Sequence, residues 1–162
     1  MKIKTVLWGL ATAALLVSCS GAKLSVANEQ YARGEFYDAA QTYRKVYSKT
    51  NPRKERKLRG EIAFKMAECY RRINMAPRSS AAYQNAIRYD YPDSMALFYL
   101  ARSQQYEGKY KEAIKNYQAY LETNPQSSLA KNGIRGCNLA QQWKKTQKLS
   151  PKITEINIKV PL

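Results

Sequence analysis

Twenty-eight Lys and Arg side chains, twelve carboxylates and three cysteines make up the reactive inventory of this chain, and it has no histidine. Without imidazole, the commonest general base, the Ser–His and Cys–His dyads and nearly every zinc site are gone. The acids are sparse and scattered, so a carboxylate pair for hydrolysis is not expected either. The sequence argues against catalysis, and it calls for no cofactor and no metal. What it does offer is charge, formally +16. Arg44 to Arg78 holds twelve Lys or Arg against Glu55, Glu61 and Glu68, and Lys131 to Lys152 holds six and no acid. Such clusters suit an anionic partner, whether nucleic acid, lipid, cell-wall polymer or an acidic protein surface. They equally suit a plain solvated face.

The N-terminus narrows that choice. Lys2 and Lys4 precede an apolar run from Thr5 to Val17, too short to span a bilayer, and Leu16-Val17-Ser18-Cys19 follows. "LVSC" resembles the lipobox of bacterial lipoproteins. The resemblance implies that residues 1–18 are a cleaved signal peptide and that Cys19 becomes an acylated N-terminus. Several acyl chains anchor stably, because each buried methylene contributes about 0.8 kcal/mol. An ordinary cleaved signal and an uncleaved anchor remain as alternatives. Behind a lipoprotein signal, nucleic acid drops out as a partner.

The elements that would position any site come from an internal echo. "RGEFYDAAQTYRKVYSKTNP" (Arg33–Pro52) returns as "EGKYKEAIKNYQAYLETNP" (Glu107–Pro125). Between them Ala67, Tyr70, Asn74 and Tyr83 match Ala101, Gln104, Gly108 and Tyr117 at a constant offset of 34. That is the tetratricopeptide (TPR) period, a helix–turn–helix unit, and the chain resembles that family from about Ala22 to Lys145. In the best repeat Leu97, Leu100 and Ala101 share a helix face, Ala101 and Ala113 allow close approach, and Gly108 permits the positive φ that ends the first helix. The fold expected is all-α: a TPR solenoid of about three repeats (20–53, 60–93, 94–127) plus a capping helix over 128–145. Leu129, Gly133, Ile134, Cys137 and Ala140 would form the cap's apolar stripe. The basic "NPRKERK" reads as an N-terminal extension of the next helix, started by Pro52. In the tail, residues 146–162, "ITEINIKV" alternates like a lone strand, or is a disordered stub.

In the TPR family the first helices of the repeats line a concave groove. The resemblance carries that role onto Asn28 and Tyr31, then Phe64, Glu68, Arg71 and Arg72, then Met95, Phe98, Arg102, Gln105 and Tyr106. Arg71, Arg72 and Arg102 could hold carboxylates of a partner protein, while some of the aromatics would only stabilise the groove. The clamp that some TPR domains use for a peptide C-terminus is not matched, since Leu24, Met95 and Tyr99 stand at its positions beside Asn28. Cys69 and Cys137 take positions of small buried residues, too far apart for a disulfide given a Cα limit of about 7 Å.

Together "GEIAFKMAECYR", "SAAYQNAIRYDYPDS" and "EGKYKEAIKNYQAYLE" are similar to the N-terminal part of a Bacteroidetes outer-membrane lipoprotein family. Its members join TPR repeats to a β-propeller and an OmpA-like peptidoglycan-binding domain, and include the periplasmic anchor component of the type IX secretion system. The sequence ends where the propeller would begin, so cell-wall anchoring does not carry over. The resemblance implies a non-enzymatic scaffold, lipid-anchored in the outer membrane, facing the periplasm and docking envelope proteins in its groove. The alternative is a basic surface for anionic cell-wall polymer or lipid headgroups.

Overall fold

A computed structural model describes residues 23–149; Cys19, the rest of residues 1–22 and the "ITEINIKV" segment within 150–162 lie outside the described residues. Among the described residues seven helices follow one another: α1 (residues 23–32), α2 (Phe36–Lys49), α3 (Arg56–Arg72), α4 (Ala76–Arg88), α5 (Met95–Tyr106), α6 (Tyr110–Thr123) and α7 (Ser128–Leu149). From α2 onward each packs on the next in chain order, and α5 also touches α7. Three helix pairs and a seventh helix closing the row are the expected all-α TPR solenoid.

One turn recurs within every pair. Gly34 (φ +79°), Asn74 (φ +56°) and Gly108 (φ +74°) each leave the first helix in the left-handed region. The following N–H reaches back five residues, from Glu35 to Gln30 O, Met75 to Tyr70 O and Lys109 to Gln104 O, at 2.9 Å in all three. This pattern satisfies carbonyls that the helix end would otherwise leave bare. Asn serves in the middle pair because its short side chain tolerates that conformation.

The core alternates very small with large side chains. Ala39, Ala63, Ala67, Ala101, Ala113 and Ala130 are fully buried, and Tyr43, Tyr83 and Tyr117 fill the space beside them. Each of these tyrosines sits on a second helix and donates its hydroxyl to the first helix of its own pair. Tyr43 bonds Asn28 Oδ1 at 2.7 Å, Tyr83 bonds the Glu68 carboxylate, and Tyr117 bonds Gln105 Oε1 at 2.9 Å. A buried phenol needs such a partner, so one packing device is used three times.

Two boundaries and one buried face differ from the sequence reading. Asn51 and Glu55 form a reciprocal cap: Asn51 Oδ1 accepts the Arg53 and Lys54 N–H groups, and Glu55 Oε2 accepts the Asn51 N–H at 2.6 Å. Pro52 therefore starts a single turn, but Glu55 (φ −116°, ψ 36°) departs from helix, and α3 proper begins at Arg56. On α7 Leu129 is 67% exposed, and the buried positions are Ala130 and Cys137. They lie seven residues apart on one face, and Leu129 stands about 100° round the helix from Ala130. Finally α7 continues to Leu149, beyond the expected end at 145.

Candidate partner-binding groove

The first helices α1, α3 and α5 are tied side by side through cation–aromatic contacts. Lys65 Nζ of α3 lies 5.3 Å from the Tyr31 ring of α1, and the Arg71 guanidinium of α3 lies 4.3 Å from the Tyr99 ring of α5. The helix register that buries Ala63 and Ala67 turns Arg72 out to solvent and leaves Arg71 half-buried. On α5 the register that buries Leu100 and Ala101 exposes Arg102 and Tyr106, the latter to 70%.

The eleven residues assigned to the groove from sequence divide into two groups. Arg71, Arg102 and Tyr106 surround one cavity of about 460 Å³ between the α3 end, the α3–α4 turn and α5. Arg72 stands exposed near the Phe36 ring at 5.5 Å, and the Arg102 guanidinium bonds the Tyr106 hydroxyl at 3.3–3.4 Å. Neither has a carboxylate partner among the described residues, whereas Arg71 is bound to Glu68. These groups can meet an incoming anion.

The others are committed to packing. Phe98 is 6% exposed, enclosed by Tyr99, Tyr117 and Tyr120 at centroid distances of 5.3–5.7 Å. Phe64 is stacked on Tyr91 at 4.2 Å, and Met95 Sδ accepts the Tyr120 hydroxyl at 3.4 Å. Tyr31 is half-buried, edge-on to Phe36 at 5.5 Å. Asn28 and Gln105 hold core tyrosines as described. Asn28 also edges a smaller hollow, about 90 Å³, with Leu24, Leu58, Glu61 and Lys65.

Glu68 is buried, and its carboxylate takes Arg71 Nε at 2.9 Å and Arg71 Nη2 at 2.6 Å as well as the Tyr83 hydroxyl. Burial pushes this carboxyl up, but the bonds from Arg71 and Tyr83 outweigh it and hold the group below its ordinary value. It therefore stays charged and positions Arg71 at the cavity edge.

Sequence reasoning missed Asn74, Ser79 and Ser103, which also line the cavity. Ser79 Oγ and Ser103 Oγ are 3.0 Å apart on the cavity floor. The available signal was Ser103, which stands in α5 at the place that Cys69 holds in α3. Cys69 and Cys137 are free and fully buried, and burial pushes the Cys69 thiol up to about 12. Neither is poised as a nucleophile. No described helix is long and apolar enough to cross a membrane.

Comparison with known proteins agrees with this architecture. The family model for the tetratricopeptide repeat matches residues 95–127, which is the α5–α6 pair. The C-terminal TPR-containing domain of a putative FK506-binding protein from Plasmodium falciparum superposes with a TM-score of 0.62 at 18% identity, covering 82% of this chain and 93% of that one. The first TPR of Spaghetti (RPAP3), bound to an HSP90 peptide SRMEEVD, gives 0.61 at 18% identity over 76% of this chain and 93% of that one. The Sgt2 TPR domain from Aspergillus fumigatus gives 0.57 at 17% identity over 87% and 90%. No curated protein sequence matches. Residues 23–149 thus share the all-α fold of tetratricopeptide solenoids, and the α5–α6 pair matches the model of the repeat itself.

Proposed function

We propose that the chain is a non-enzymatic scaffold that docks an acidic segment of another cell-envelope protein along α1, α3 and α5. The observation that carries this reading is the exposed Arg102 guanidinium at a cavity of about 460 Å³, with the exposed Arg72 next to the cavity residue Arg71 in sequence, neither ion-paired to a carboxylate among the described residues. A guanidinium binds carboxylates through charge-assisted hydrogen bonds, and the exposed Tyr106 ring adds a flat apolar wall of the kind enriched at interface hot spots. The Spaghetti domain holds a peptide with two consecutive glutamates. Here the terminal-carboxylate clamp positions carry Leu24, Met95 and Tyr99, so the acidic groups are read instead at Arg72 and Arg102.

The scaffold is tethered through acylated Cys19 to the outer membrane and faces the periplasm. Its partners belong to the envelope, in keeping with the resemblance to lipoproteins of the type IX secretion apparatus. Labelled fatty acid should enter the wild-type chain and not Cys19→Ala. For the groove, affinity capture from an envelope extract with wild type should retain a protein that the Arg72→Ala/Arg102→Ala variant releases. Equal capture by both would overturn the groove reading.

A further inference from the structure

A second cationic zone lies away from the Arg72–Arg102 end of the groove, at the corner where α2 ends and α3 begins. Arg44, Lys45 and Lys49 on the last turns of α2, Arg53 and Lys54 on the capped turn, and Lys57 on α3 are all exposed. None of the six has an ion-pair partner among the described residues. The carboxylates nearby are largely occupied. Glu55 is turned onto the Asn51 N–H, Asp90 onto Arg56 Nε at 2.6 Å, and Glu61 lies one turn further along α3. The Asn51–Glu55 cap holds Arg53 and Lys54 outward before any partner arrives. Lys57 and Arg72 are separated by about 22 Å along the α3 axis, so this corner and the groove cations occupy opposite ends of the same helix.

The start of α1 emerges at this corner. Leu24 shares one hollow with Leu58 and Glu61, and those two residues share the adjoining hollow with Lys54 and Lys57. Only three residues lie between Cys19 and Lys23, and the four chain steps span at most about 14 Å. A lipid on Cys19 would therefore keep the start of α1, beside this corner, within about two screening lengths of the bilayer, since that length is ~8 Å at physiological salt.

We propose that the α2–α3 corner is a membrane-facing surface that lies on anionic phospholipid headgroups and leaves the Arg72–Arg102 end of the inner helices pointing away, open to partners. Six outward cations on a protruding corner match a broad, planar array of negative charge better than a single ligand. The orientation rests on lipidation of Cys19, but the binding itself does not need the lipid, so the two can fail separately.

The test uses the mature chain, Cys19–Leu162 with Cys19→Ser, which contains every described helix. It is sedimented with vesicles of phosphatidylcholine alone or with about one-third phosphatidylglycerol, at low and high salt. Binding is expected only to the anionic vesicles and only at low salt. Each cation near an anionic surface contributes a factor of about five, so Arg53→Glu/Lys54→Glu/Lys57→Glu should weaken partitioning by about 100-fold or more. A control of equal charge change on the far repeat, Lys111→Glu/Lys115→Glu/Lys131→Glu, should bind within about 10-fold of wild type. Far-UV circular dichroism verifies that both variants are folded. Equal losses in the two variants would mean that binding follows net charge, and the corner assignment would fall. It would also fall if neutral vesicles bound the chain, or if purified cell wall sedimented it through this corner while anionic vesicles did not.

Discussion

Gly133 and Gly136 stand one turn apart on α7, and replacing each by alanine separates helix propensity from packing. A methyl group on Gly133 would lie 2.5 Å from Cζ and 2.6 Å from Cε2 of Tyr117, whereas on Gly136 the nearest atom is Gln105 Nε2 at 3.2 Å. Carbon atoms settle at about 3.5–4.0 Å, so the first substitution must move the ring or the helix by about 1 Å. The ring has little room to yield: Tyr117 is 2% exposed and its hydroxyl is bonded to Gln105. Overpacking of this severity costs about 3 kcal/mol, and a helix-interior Gly→Ala change returns about 1 kcal/mol. The net loss for Gly133→Ala is then about 2 kcal/mol, a fall of about 8 °C in the unfolding midpoint. Gly136→Ala needs only a few tenths of an ångström from the Gln105 amide nitrogen, a shift that leaves the Tyr117 bond to Gln105 Oε1 in reach, and should be neutral or gain up to about 1 kcal/mol. Thermal unfolding followed by far-UV circular dichroism reads both. Gly133→Ala/Tyr117→Leu should recover part of the loss. If Gly133→Ala proves as stable as Gly136→Ala, Tyr117 does not fill the α6–α7 interface as described.

Other outcomes follow from the same contacts. Because Glu68 sits below its ordinary value of 4.5 when folded, the stability it lends is complete above that pH and is lost as pH falls through the lower folded value. The unfolding midpoint of wild type should therefore drop faster below pH ~4.5 than that of Glu68→Gln, and parallel curves would count against the Glu68–Arg71–Tyr83 bonds. Phe98→Ala should cost about 3–5 kcal/mol, whereas Arg102→Ala, one turn further along α5, should change stability by under about 0.5 kcal/mol. Chemical denaturation distinguishes the two, and similar losses would mean that Phe98 is not buried. Cys69 and Cys137 should alkylate no faster than the chain unfolds, and rapid modification in the folded state would contradict their burial.

Small and bulky residues recurring at a fixed interval made the fold legible, because that interval is the packing rule itself. Ala101 and Ala113 must be small for two helices to approach, and both are fully buried. Gly108 and Asn74 announced their turns through the one backbone conformation that other residues avoid. The groove was legible as a set of positions, not as a surface. Position in a repeat says which way Phe98 leaves its helix, but not that Tyr117 and Tyr120 from α6 close over it. Glu68 read as a groove carboxylate because nothing local shows that Tyr83, fifteen residues on, needs an acceptor. Leu129 misled for a simpler reason: an apolar residue at a helix start looks like core until Ala130 and Cys137 set the face.

Whether the inner helices hold a partner can be read most directly by placing a photo-crosslinking amino acid at Tyr106, on α5, or at Tyr37, on the opposite helix row. Both side chains are exposed, 70% and 54%, so access alone does not favour either. Irradiation of intact cells should join the chain to a discrete envelope protein from position 106 and not from position 37. The same adducts from both positions, or adducts from position 37 alone, would contradict docking along α1, α3 and α5.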